Sequence, residues 1–142
     1  MRATYGRNIK AKSILEEKGI EVVYDSLCDF IHLAEGVDLN HFAEKYKDAD
    51  LIIYAGGISP LLEGEAGDAG GMEGFEGGDR TSIQLPAIQT EMMKRLHALG
   101  KPVLFICMSG SAIAYNWEAE QLPAVIQAWY GGQATGTALA DI

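Results

Sequence analysis

Between a buried-looking apolar run and Pro86 lies a segment reading GGISPLLEGEAGDAGGMEGFEGGDRTSIQLP, and it concentrates carboxylates on a glycine-rich chain. It carries Glu63, Glu65, Asp68, Glu73, Glu76 and Asp79, with Arg80 as its only cation. A carboxyl group surrounded by like charges resists ionisation, which is how a general acid is kept protonated near neutral pH. Structureless segments of this length are usually functional or disordered. Composition alone favours the plainer alternative, a solvated acidic loop. Clustered carboxylates among glycine turns also suit calcium, but the spacing D-x-[DN]-x-[DN]-G is absent.

Other residues invite chemistry more weakly. Asp79 and Arg80 could touch a substrate, or form an ion pair that pins the end of the loop. Ser109-Gly110-Ser111 could cradle a phosphate at a helix start. The favoured reading is a tight turn whose serines cap a helix, because a formal charge of −9 does not invite an anion. The run GGQATG at 131–136 lacks the G-x-G-x-x-G spacing, and no GK[ST] follows, so nucleotide readings stay weak. Trp117 and Trp129 could stack on a sugar ring. Trp129, closing an apolar run, is expected in the core, and Trp117 fits packing or surface equally. His32, His41 and His97 show no metal spacing, and His97 is expected to be solvated. Cys107, inside VLFICM, reads as a buried thiol acting as a small hydrophobe.

The elements that must hold these residues alternate between helix and strand. A helix is expected over residues 6–18, stopped by Gly19, and a β-branched strand over 20–24. A second helix fits 38–47, from Leu39, Phe42, Ala43 and Tyr46 at helical spacing. Residues 50–56 read as a strand buried on both faces. After the long loop, Pro86 opens a helix with Ile88, Met92, Leu96 and Leu99 as its stripe. Strands at 102–108 and 124–129, a short helix near 117 and another from 133 complete the pattern. This is an α/β fold: a doubly wound, mainly parallel sheet sandwiched by helices, in the flavodoxin-like three-layer manner. Ligands of such folds meet the loops at the C-terminal ends of the strands. Three unusual loops lie there, after Gly56, Met108 and Trp129.

The 142 residues suit one domain, and 48% hydrophobic content fills a core. With 11 basic against 20 acidic residues, a nucleic-acid partner or a polybasic membrane surface is not expected. The ligand expected is neutral or cationic. The chain stops inside an apparent helix with no final strand, as a truncated domain would. A missing edge strand leaves unpaired backbone groups and invites self-association.

At the level of motifs, the stretch from Ala49 to Asp141 resembles the second domain of glycoside hydrolase family 3. Four blocks carry the resemblance in order: the E-G-E pair at Glu63 and Glu65, G-D-R followed by L-P and Q at 78–89, G-K-P-V before S-G-S at 100–111, and A-W-Y-x-G-Q at 128–133. Gly131 departs from the usual pattern, which has proline there.

The resemblance implies an exo-acting retaining β-glycosidase, a β-glucosidase or β-xylosidase, acting on a β-linked oligosaccharide or glycoside without a cofactor. Its own N-terminal barrel domain, outside this chain, would supply an aspartate nucleophile. The whole of 1–142 would be a fragment of the C-terminal domain, inactive alone, from a periplasmic or secreted parent. The family's acid/base glutamate follows the glycine closing a strand, with a proline often midway. Counting from Gly57 past Pro60 gives Glu63, with Glu65 as runner-up. The other reading kept open from the residues is a non-catalytic flavodoxin-like binding or interaction module, with its ligand site after Met108.

Overall fold

The structure is a computed structural model that describes residues 7–63, 74–76 and 79–142, with side chains in the first helix from Lys12 onward. Its elements run α1 (Arg7–Glu17), a 3-10 turn (Phe42–Tyr46), β1 (Ile52–Gly57), β2 (Phe75–Glu76), β3 (Asp79–Arg80), α2 (Ala87–His97), β4 (Val103–Met108), α3 (Asn116–Gln121), β5 (Ala124–Gln127) and α4 (Thr135–Asp141).

Three strands form a parallel sheet in the order β1-β4-β5. Ile52 pairs with Val103, and Leu104 with Ala124. Parallel neighbours need crossover connections, and α2 and α3 supply them. The α/β class and the parallel sheet are as expected. Side chains alternate across a strand, so Ile52, Tyr54, Val103, Phe105 and Cys107 share the face that meets α2. Helix α2 sends Met92, Met93 and Leu96 into that face, all of them buried. Each such side chain stabilises the fold by about 1.5–3 kcal/mol. The opposite face is thinner, for Ile53 stays 45% exposed. Helices α1 and α4 pack against each other.

Several expected elements change. Residues 20–24 form no strand, and Ile20, Val23 and Tyr24 are exposed. Their β-branched composition favours extended backbone, but a strand exists only with a partner ladder. The helix expected over 38–47 shrinks to the 3-10 turn. Asp38 starts the turn as an N-cap does, its carboxylate accepting from the Asn40 N–H and its carbonyl from the Phe42 N–H, both at 2.8 Å, while Lys45 and Tyr46 both reach out to Asp25. Strand β5 ends at Gln127 rather than Trp129.

The long loop is organised where it is described. Phe75 pairs with Arg80, and Glu76 with Asp79, in a short antiparallel hairpin. Phe75 packs with Ile58 and Leu62 in a second small core. This hydrophobic cluster fixes the start and the end of the loop against one another.

Candidate functional site

The site begins where β1 ends. Gly57 has φ +111°, and a Cβ there would lie 2.0 Å from the Met108 carbonyl oxygen. Only glycine permits that conformation and that approach. The Ile58 N–H then donates to the same carbonyl at 2.9 Å. One helical turn follows, in which the Ser59 carbonyl accepts from Leu62 N–H at 2.9 Å and Glu63 N–H at 3.1 Å. Ile58 and Leu62 are buried, so the turn is anchored from below and lifts half-buried Glu63 to the C-terminal edge of the sheet.

Two other loops meet Glu63 there. The Gly110 N–H, after β4, donates to Glu63 Oε2 at 3.0 Å. The Tyr130 hydroxyl, after β5, donates to the same oxygen. A Cβ at Gly110 would sit 2.7 Å from Tyr130 Cε2 and 2.8 Å from Glu63 Oε2, so a side chain at 110 would push these two groups out of place. The three loops singled out from the sequence therefore converge on one carboxylate. Glu65, Asp68 and Glu73 lie outside the described residues.

Arg80 ties the loop to its neighbour. Its guanidinium donates to the Ser82 carbonyl at 2.7 Å, the Gln84 carbonyl at 3.3 Å, the Ser111 hydroxyl at 3.3 Å and the Ala112 carbonyl at 3.3 Å. It also lies over the Phe75 ring, 5.3 Å from the centroid. Among the described residues Asp79 makes no ion pair with it, so the expected Asp79–Arg80 pair is replaced by bonds to carbonyls. Arg80 does pin the loop end, but to the chain after β4.

The serines do not cap a helix. Ser109 is fully buried and its hydroxyl accepts from Gln127 Nε2 at 3.0 Å. Ser111 accepts from Arg80, and α3 begins only at Asn116, with Tyr115 as a cap that makes no side-chain bond. The Gly110 N–H, a candidate for phosphate, faces a carboxylate instead. Trp129 is 52% exposed rather than in the core, because the strand ends before it and its φ of +54° turns the chain outward. Trp117 packs partly buried against the main core. His97 is half-buried, its ring edge-on to Trp117 at 5.9 Å, rather than solvated.

Sequence reasoning gave Gln89 and Tyr130 no role beyond their place in the motifs, and Gly110 only a phosphate-cradling one. Gln89 is fully buried. Its amide accepts from Gly57 N–H at 2.8 Å and donates to the carbonyls of Gly57 at 2.7 Å and Phe30 at 2.8 Å. It thus clamps the end of β1, from which Glu63 is held. A polar residue on the inner face of an amphipathic helix was the available signal. Deeper in the same face, burial first and then the Glu118 charge push the Cys107 thiol up to about 12.

A parallel α/β sheet whose C-terminal edge presents a carboxylate held by two neighbouring loops is a ligand-site geometry of open α/β domains. Comparison with known proteins gives the family. Residues 7–142 match the glycosyl hydrolase family 3 C-terminal domain, and the chain belongs to that family. It is 48% identical over 106 residues to a xylan 1,4-beta-xylosidase of Xylanibacter ruminicola, a match covering 75% of this chain and 12% of that protein. It is 33% identical over 103 residues to a beta-glucosidase of Bacteroides ovatus, covering 72% of this chain and 12% of the relative. Among solved structures, an exo-beta-xylosidase of the same family, in complex with a xylobiose aziridine probe, superposes with a TM-score of 0.72 at 27% identity. That match covers 93% of this chain and 16% of the other. The chain thus spans about an eighth of the relatives it matches.

Proposed function

We propose that this chain is the second domain of an exo-acting retaining β-glycosidase, a β-glucosidase or β-xylosidase, and that Glu63 is its acid/base. The whole of 1–142 then belongs to a longer parent whose barrel domain supplies the nucleophile and most of the sugar pocket. The observation that carries the proposal is the anchoring of Glu63. A carboxylate at a strand end, fixed by donors from two other loops, is held in one orientation, as a proton donor must be.

In the first step Glu63, protonated, gives its proton to the glycosidic oxygen as the bond from the anomeric carbon to that oxygen breaks. The nucleophile attacks the anomeric carbon from the opposite face, with the two carboxyls about 5–5.5 Å apart. The leaving alcohol departs neutral. In the second step Glu63, now a carboxylate, takes a proton from water as the water oxygen displaces the enzyme carboxylate, restoring both groups. Without the nucleophile this chain alone does not turn over.

The test uses the full-length parent. Glu63→Gln lowers hydrolysis of substrates with poor leaving groups, while activated aryl glycosides still form the covalent intermediate. Azide then restores turnover and yields a glycosyl azide of retained configuration. If Glu63→Gln is silent and Glu65→Gln behaves this way, the assignment belongs two residues on.

A further inference from the structure

We infer that Tyr130 is a positioning residue which decides the oxygen from which Glu63 delivers its proton. The inference rests on Glu63 being the acid/base. Glu63 Oε2 receives two donors, the Tyr130 hydroxyl and the Gly110 N–H at 3.0 Å. A carboxyl oxygen has two lone pairs in its plane. The backbone N–H cannot reverse to accept, and while the Tyr130 hydroxyl, which could, stays a donor, both lone pairs of Oε2 are occupied. In this proposal the proton is carried on Oε1, the oxygen left outside these two bonds, and it is Oε1 that meets the departing oxygen.

The packing makes this arrangement specific. The space above Gly110 is filled by the Tyr130 ring on one side and the Glu63 carboxylate on the other, with less than 3 Å to either from a Cβ there. Tyr130 comes directly after Trp129, a non-glycine residue at φ +54°. Such a conformation is uncommon outside glycine and persists where surrounding structure holds it. The bend brings the chain after β5 back over the loop after β4, so the hydroxyl reaches the carboxylate. The two donors differ in kind. Gly110 supplies a backbone group that only proline would remove, whereas Tyr130 supplies a hydroxyl that Tyr130→Phe removes without changing ring packing.

The consequence is selective. With one donor gone, Oε2 has a free lone pair, the proton partitions between the two oxygens, and the side chain loses its fixed direction. Only steps that need the proton suffer. In the full-length parent, kcat/KM is measured for Tyr130→Phe on a disaccharide with a poor leaving group and on a dinitrophenyl glycoside that leaves without a proton. The expected loss on the disaccharide is about ten- to a hundredfold, the size of one hydrogen bond to a charged group. On the activated substrate the change stays under about threefold. Labelling of the nucleophile by a 2-fluoro glycoside inactivator shows that the site is intact.

An equal fall on both substrates makes Tyr130 a structural residue and overturns the inference, as does no fall on either. Glu63→Gln is run in parallel. If it gives the split between substrates and Tyr130→Phe does not, the inference fails while the Glu63 assignment stands. If Glu63→Gln gives no split, the assignment fails and the inference with it.

Discussion

Replacing Gln89 by Met tests how the strand end that carries Glu63 is secured. The substitution keeps the side-chain length and removes three hydrogen bonds, to Gly57 N–H, the Gly57 carbonyl and the Phe30 carbonyl. Gly57 is buried, so each of its two groups bears the roughly 1–3 kcal/mol cost of an orphaned buried polar group. Phe30 is half-buried, and its carbonyl can turn to water at smaller cost. The sum is about 2–6 kcal/mol, against roughly 5–15 kcal/mol for a whole domain. At this chain length that lowers the melting temperature by roughly 5–20 °C. Urea unfolding followed by circular dichroism measures the loss. Gln121→Met, on an exposed residue, is the control and stays within about 0.5 kcal/mol. Hydrogen exchange at the Gly57 amide accelerates in Gln89→Met alone. A loss below about 1 kcal/mol, or unchanged exchange at Gly57, would refute the reasoning that Gln89 holds the end of β1.

Alkaline stability follows from Cys107. Below the ordinary thiol value of about 9 both folded and unfolded chains keep the proton, and the group has no effect. Above it the unfolded chain releases the proton while the folded thiol, pushed up to about 12, does not. Stability therefore falls as pH climbs from about 9, by up to about 1.4 kcal/mol per pH unit. Urea midpoints at pH 8, 9.5 and 10.5 read the slope, and Cys107→Ala lessens it. Tyr54, raised by burial and then by Cys28, and Tyr46, raised by burial and then by Asp25, add to the slope in the same direction. In the sheet, β1 and β5 are the outer strands, and each leaves one edge outside the ladder. The isolated chain is expected to self-associate as concentration rises, and Ile53→Lys to weaken it. A monodisperse monomer by light scattering at high concentration contradicts this.

Local patterning determined much of this protein. The apolar runs around Tyr54 and Phe105, the stripe on α2 and the glycines after each run specify a parallel α/β sheet, because periodicity and chain reversals are local properties. The motif order pointed to the family, and the resemblance, counted from Gly57, implied Glu63 with Glu65 as runner-up. Where packing had to choose between locally equal options, sequence was silent or misleading. The extended stretch at 20–24 has strand-forming residues but no partner ladder. Trp129 is apolar yet exposed, because the last strand ends two residues earlier than its hydrophobic run. Arg80 binds the Ser111 hydroxyl and the Ala112 carbonyl, 31 and 32 positions away, instead of its neighbour Asp79. The convergence of Glu63, Gly110 and Tyr130 joins residues 47 and 67 positions apart. Only the sheet order β1-β4-β5, which brings three strand ends to one edge, puts those donors on one oxygen.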